Sequence, residues 1–262
     1  MNFINTIFNE SCLETVNHIN NVDVVLTSPF YNTAGSTILD GRKSKANQYA
    51  RYDTKVDTMT DEEYCQFTID LFNGLDKVLK DDGVVLYNIS YSSNNSNGFL
   101  LAVSDIIRHT NFSMVDMISW KKENCIPNVS SPNRLTRIVE PVFVFCKKGH
   151  EKKFYANKPI MPQKDSPHIV YKSINNIIEA KTSDGKCPYN KATYSTDLCK
   201  KLLSIYAPSN GLIYDPFMGS GTTAVACVEM GLKYVGSEIS SNQVNYANER
   251  ISKHTLDESL FE

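Results

Sequence analysis

The chain has 262 residues, 41% hydrophobic and 21% charged, the make-up of one ordinary globular domain with room for a small appendage. A formal charge of -2 excludes a whole-molecule field that draws in nucleic acid or membrane, so any polyanion must meet a local basic surface. Seven scattered cysteines without a CxxC pair, and five isolated histidines, argue against a zinc or other metal site and for reduced thiols in a cytoplasmic protein. No signal peptide is expected, and no apolar run approaches membrane-spanning length.

Ser11-Cys12-Leu13-Glu14 fits a capping box and predicts a short helix through about Ile19. Val22 to Leu26 is apolar, β-branched and without alternation, which predicts a buried parallel strand. It delivers Ser28-Pro29-Phe30-Tyr31 at its carboxyl end, where ligands bind in open α/β sheets. The stretch 32–58 is polar and aperiodic and reads as a long functional or mobile loop, with Arg42, Lys43, Lys45 and Arg51 among its charges.

Thr60 to Glu63 is a second capping box, and Tyr64, Phe67, Leu71, Phe72, Leu75, Val78 and Leu79 recur at helical spacing behind it. Asp81-Asp82-Gly83 reads as a turn, Val84–Ile89 as a strand, Phe99–His109 as a helix and Phe112–Trp120 as a strand. Ile138–Cys146 reads as a strand that Pro141 demotes towards a sheet edge. From about 150 to 188 the pattern dissolves into lysines, tyrosines and prolines, an appended segment of the single domain 1–262.

Regularity returns with a helix capped by Ser195 or Thr196, then a strand from Gly211 to Tyr214. The turn Asp215-Pro216-Phe217-Met218-Gly219-Ser220-Gly221-Thr222-Thr223 leads into a helix that Gly231 stops. A strand Lys233–Gly236 ends at Glu238, and Ser240 to Gln243 opens the last helix with a third capping box. Strands alternating with helices predict a mostly parallel twisted sheet with helices on both faces. A glycine turn facing a helix amino end, with an acidic residue after the next strand, makes a nucleoside-binding unit.

Asp215 to Thr223 resembles the S-adenosylmethionine-binding motif of amino-group DNA methyltransferases, and Ser28 to Tyr31 resembles their catalytic tetrapeptide. With the tetrapeptide first and the cofactor motif late, the order is similar to the circularly permuted β group. Asp82-Gly83, Trp120-Lys121-Lys122 with Asn124 and Pro127, and Lys191 to Ser195 extend the match over most of the chain. The resemblance implies a Rossmann-like methyltransferase fold, with 150–188 as target-recognition segment.

It further implies that Ser28 and the Pro29 carbonyl orient an exocyclic amine while Tyr31 stacks on a flipped-out base. Asp215, Pro216, Phe217, Gly219, Ser220, Gly221 and Thr222 would hold S-adenosyl-L-methionine, with Glu238 on its ribose and Thr193, Tyr194 and Ser195 completing the pocket. Arg42, Lys43, Lys45, Arg51, Lys121, Lys122 and Asn124 would meet double-stranded DNA. A neutral serine cannot act as a strong base, so the amine proton is expected to leave to water.

Serine in first position favours cytosine-N4 over adenine-N6, although Tyr31-Asn32 is a continuation common among adenine enzymes. Phe30 stands where the family has a second proline, and Cys187-Pro188-Tyr189-Asn190 replaces the usual lead into Lys191. A homodimer and a cognate restriction enzyme are compatible expectations. The same turn satisfies a dinucleotide pattern, so a nicotinamide-dependent dehydrogenase is a rival that leaves Ser28 to Tyr31 unexplained. A non-catalytic DNA-binding homologue is a third reading.

Overall fold

The computed structural model describes residues 3–32, 59–91, 95–129, 131–162, 168–185, 187–189 and 193–258. The loop expected at 32–58 therefore lies almost wholly outside the described residues. In chain order the first half holds β1 (Thr6–Phe8), α1 (Cys12–Thr15), β2 (Val22–Thr27), α2 (Asp61–Val78), β3 (Leu79–Asn88), α3 (Gly98–His109), β4 (Phe112–Lys122) and β5 (Val139–Lys147). The second half holds β6 (Ile160–Met161), β7 (Val170–Tyr171), β8 (Ile177–Ala180), α4 (Thr196–Tyr206), β9 (Leu212–Asp215), α5 (Thr222–Glu229), β10 (Lys233–Ser237) and α6 (Ser241–Glu258).

Eight strands form one sheet in the order β1-β10-β9-β2-β3-β5-β4-β8, in which β5 runs against both neighbours and every other pairing is parallel. Both faces are covered, which is why β2 reads as a continuous apolar run. Val25, Val85 and Tyr214 pack on the face that carries α2 and α3, with Leu71, Phe72, Leu75, Ala102 and Ile106. Val24, Leu26, Leu86 and Ile213 pack on the other, with Leu198, Leu202, Leu203, Val225 and Ile251 from α4, α5 and α6.

The start signals work as physical devices. Thr60 Oγ1 accepts from Glu63 N at 3.2 Å while the Glu63 carboxylate accepts from Thr60 N at 2.8 Å, a closed capping box on α2. Ser11 Oγ accepts from Leu13 N, but α1 is a single turn ending at Thr15 and loosens into turns through His18, short of the expected Ile19. Ser240 Oγ accepts from Gln243 N at 3.3 Å and opens α6, but Ser240 N donates to Glu238, so the expected third capping box forms only its first half.

Two expectations are corrected and one is refined. Asp81-Asp82-Gly83 lies within the span of β3, which begins at Leu79, but Val22 pairs with Leu79 and Val24 with Val84, so Lys80 to Gly83 turn out of the ladder opposite Asp23 alone. A Cβ on Gly83 would lie 2.8 Å from Asp23 O, so glycine is there to let β2 and β3 approach. Pro141 does not mark an edge, because β5 lies between β3 and β4. Its carbonyl points to the β3 side and accepts from Asn88 Nδ2, and β3 ends at Asn88, so no ladder bond needs the missing N–H. The segment 150–188 is not wholly irregular: β8 extends the main sheet beside β4, and β6 and β7 pair as a small ribbon. The three-residue β1, too short to announce itself, pairs with β10.

From β2 the chain crosses to β3 on one side, and from β9 it crosses to β10 on the other, yet β2 and β9 are neighbours. Such a reversal opens a crevice outside the carboxyl ends of the two strands. Among the described residues no helix is long and apolar enough to cross a membrane.

Candidate active site

Two strand ends meet at this crevice through Asp215, which is 1% exposed. Its Oδ1 accepts from Thr27 Oγ1 at 2.7 Å and from Phe217 N at 3.0 Å. Its Oδ2 accepts from Thr223 Oγ1 at 2.5 Å and from Tyr194 OH at 3.0 Å. Burial pushes the Asp215 carboxyl above its ordinary value, and the bonds from Thr223, Thr27, Phe217 N and Tyr194 offset part of that rise. Burial, then the charge of Asp215, also pushes the Tyr194 phenol well up. With four donors already on its oxygens, Asp215 shapes the turn and fixes it to β2 and to the approach to α4.

Beyond Asp215 the backbone enters the left-handed region at Gly219 (φ +53°) and Gly221 (φ +81°), which favours glycine at both. A Cβ at Gly221 would also lie 2.8 Å from Ala247 Cβ on α6. Glu238, just past β10, accepts from Gly219 N at 3.0 Å on one oxygen and from Ser240 N at 2.8 Å on the other. The carboxylate is thus held between the glycine turn and the start of α6. Pro216 is buried, and Phe217 is half-buried against Phe30 and Phe67.

The hydroxyls of Ser220 and Thr222 face Arg250 of α6, which donates to Ser220 O at 2.8 Å, to Ser220 Oγ at 3.2 Å and to Thr222 Oγ1 at 3.3 Å. The other guanidinium nitrogen reaches Asp184 at 3.1 Å, and Asp184 accepts from Thr196 N at the start of α4. Sequence reading missed Arg250, although it stands three residues after Ala247 and so shares its helix face.

On the β2 side, Ser28 is half-buried with Oγ 3.2 Å from Tyr31 OH, and Pro29 is buried between them. Phe30 is 7% exposed, its ring edge-on to Tyr64 at 5.3 Å and to Phe217 at 5.9 Å. Its carbonyl accepts from Tyr64 OH at 2.7 Å. The ring that replaces the expected second proline is therefore a core anchor, and it stiffens the stretch by packing. Tyr31 OH reaches Asn88 Oδ1 at 3.2 Å and Glu140 Oε2 at 3.4 Å, on β3 and β5.

The structure thus brings Ser28, Pro29 and Tyr31 to the same crevice as Phe217, Gly219, Gly221, Glu238 and Tyr194. Other expected site residues have partners of their own. Ser195 is fully buried, donates to Lys181 O at 2.7 Å and accepts from Leu198 N, so it is the cap of α4. Thr193 is half-buried beside it. Lys122 donates to Glu140 Oε1 at 2.5 Å and lies 4.8 Å over the Trp120 ring, so it is bound into the β4–β5 pair. Lys121 pairs with Glu179 at 2.7 Å on the neighbouring β8, and the exposed Asn124 accepts from Thr182 at its carbonyl. Arg42, Lys43, Lys45 and Arg51 lie outside the described residues.

Residues 22–249 match the family model described as DNA methylase, the N6/N4 methyltransferase family. The type II methyltransferase M.HinfI of Haemophilus influenzae is 25% identical over 259 residues, spanning 95% of this chain and 68% of that protein. M.SmaI of Serratia marcescens is 25% identical over 223 residues, 72% of this chain and 74% of that protein. The solved PvuII DNA methyltransferase, described as cytosine-N4-specific, superposes with a TM-score of 0.66 at 15% identity, covering 95% of this chain and 90% of that one. The M1.HpyAVI–SAM complex superposes with a TM-score of 0.58 at 19% identity, covering 94% and 98%. A match over most of the chain, with the fold and the two facing strand ends in agreement, leads to one conclusion: the chain belongs to the N6/N4 DNA methylase family.

Proposed function

We propose that this protein moves a methyl group from S-adenosyl-L-methionine to the exocyclic amine of a base in double-stranded DNA, cytosine-N4 in preference to adenine-N6. The observation that supports the reading is the Thr27–Asp215 bond, which joins the strand end leading into Ser28 to Tyr31 to the strand end leading into the glycine turn. The residues present fit the cofactor: the turn bends through positive φ at Gly219 and Gly221, and Glu238 is fixed beside it at the end of β10. Glu238 would take the ribose hydroxyls, and Phe217, Gly219 and Gly221 would line the methionine part. When bound, the cofactor supplies an electrophilic methyl on a sulfonium.

The chain's own residues supply the positioning. An exocyclic amine is conjugated with its ring, so its lone pair is a poor nucleophile. The Ser28 hydroxyl and the Pro29 carbonyl accept its two N–H groups and draw the nitrogen out of conjugation. Phe30, held by Tyr64 and Phe217, keeps that carbonyl in place. The Tyr31 ring stacks on the base once it has left the duplex. Holding donor and acceptor in line supplies most of the rate.

Target recognition belongs to 150–188 in this reading, with phosphate contacts from basic residues nearby. A homodimer and a companion restriction enzyme fit the relatives, which are described as type II methyltransferases. Adenine-N6 is the second reading, favoured by Tyr31-Asn32. Labelled cofactor and mixed-sequence DNA test the proposal, with the modified nucleoside identified by mass spectrometry. N4-methylcytosine is expected. N6-methyladenine alone reverses the preference, and cofactor binding without incorporation refutes the function.

A further inference from the structure

Methyl transfer to an amine must release a proton, and neither Ser28 nor the Pro29 carbonyl can keep one. Tyr31 OH lies 3.2 Å from Ser28 Oγ, 3.2 Å from Asn88 Oδ1 and 3.4 Å from Glu140 Oε2. Of these, only the Glu140 carboxylate can accept a proton and hold it. Asn88 Nδ2 donates to Pro141 O at 3.0 Å, which fixes the amide so that its oxygen faces the phenol.

Glu140 is not a loose surface group. Its side chain is 14% exposed, and its second oxygen accepts from Lys122 Nζ at 2.5 Å, a lysine 15% exposed. Drying such a pair costs more than its attraction commonly returns, and β4 and β5 are already joined by a long backbone ladder. A sheltered ion pair that the ladder does not need, against the hydroxyl of a site tyrosine, points to a role in the chemistry.

We propose that Glu140 is a positioning residue that acts through Tyr31 as the terminal proton acceptor of methyl transfer. This rests on the methyl-transfer reading of the site. As the N–C bond forms and the C–S bond of the sulfonium breaks, the amine proton passes to Ser28 Oγ. Ser28 gives its own proton to Tyr31 O, and Tyr31 gives its own to Glu140 Oε2. The positive sulfonium and negative carboxylate become a neutral thioether and a neutral carboxylic acid, so charge and atoms balance. Asn88 Oδ1 and Glu140 Oε2 both face the single phenol proton, which goes to Glu140 as the group able to keep it, and Lys122 holds the carboxylate. Glu140 then returns the proton to water. The route replaces direct loss to water from the amine.

The test is single-turnover transfer from labelled S-adenosylmethionine to mixed-sequence DNA by the wild type, Tyr31→Phe, Glu140→Gln and the double variant. Tyr31→Phe keeps the stacking ring and removes only the hydroxyl. Glu140→Gln keeps the shape and cannot hold the proton. Each single variant is expected to slow transfer about a hundredfold at saturating cofactor and DNA, with both dissociation constants unchanged. The double variant is expected to be no slower than the slower single one, because both break one path. Near-wild-type rates in either single variant, losses that multiply, or a loss confined to DNA affinity would each overturn the relay. A wild type that binds the cofactor yet transfers nothing would instead overturn the methyl-transfer reading beneath it.

Discussion

Thr27 Oγ1 donates to Asp215 Oδ1 across 2.7 Å, although the two residues stand 188 positions apart. That bond ties the strand bearing the proposed amine site to the strand bearing the cofactor turn. Both partners are buried, so the distance between the two halves is set inside the protein.

Thr27→Val keeps the shape and removes the donor. Asp215 then has three partners in place of four, and a lost bond to a buried charged group costs about 1.5–3 kcal/mol. Urea unfolding is expected to show that loss together with weaker cofactor binding. Wild-type values in both would mean that the bond does not set the crevice.

The raised Asp215 value makes a prediction about pH. The folded chain holds this proton over a range in which the unfolded chain has already released it. The contribution is therefore complete below about 4, the ordinary aspartate value, and falls as pH rises through the raised value. Relative to Asp215→Asn, in which the Thr223 and Tyr194 hydroxyls turn to accept, wild-type stability is expected to decline as pH climbs above 4. A difference that grows with pH would contradict the assignment.

Arg250→Ala leaves the buried Ser220 carbonyl without its 2.8 Å donor and cuts Asp184 from the turn. Cofactor affinity is expected to fall about tenfold, roughly 1.4 kcal/mol. Arg250→Lys keeps the charge but not the fork and should lie between. Calorimetric titration of the three proteins decides it, and equal affinities would remove Arg250 from the cofactor side.

Phe30 separates two roles that sequence alone confuses. As a core anchor it should tolerate Phe30→Leu at about 1–1.5 kcal/mol, while Phe30→Ala should cost about 3–5 kcal/mol. Unfolding midpoints check this. A stable but inactive Phe30→Ala would show instead that the ring serves the base directly.

Much of the frame was legible because its signals are local. β2 and β9 are apolar runs, α2 has a closed capping box, and the glycine turn followed by Glu238 is a contiguous pattern. What escaped was tertiary. Asn88 and Glu140 reach Tyr31 from 57 and 109 residues away, and no periodicity announces such a meeting. Nor does any spacing show that Lys122 pairs with Glu140. Pro141 misled because the edge rule assumes a neighbour on both sides along the whole strand, and β3 stops one residue too soon.

The short β1 has a wider consequence. It lies beside β10 and in contact with α6, and Phe8 O accepts from Glu238 N while Asn9 Nδ2 donates to Glu238 O. The first and last elements of the sheet half that holds the cofactor turn are thus sewn together. A short peptide joining α6 to β1, with the chain reopened ahead of α4, would yield a protein whose glycine turn is translated before Ser28. The Thr27–Asp215 and Gly219–Glu238 bonds are expected to survive that rearrangement, since neither depends on the links that would be cut or joined. On that expectation, motif order in this architecture follows from where the thread is cut.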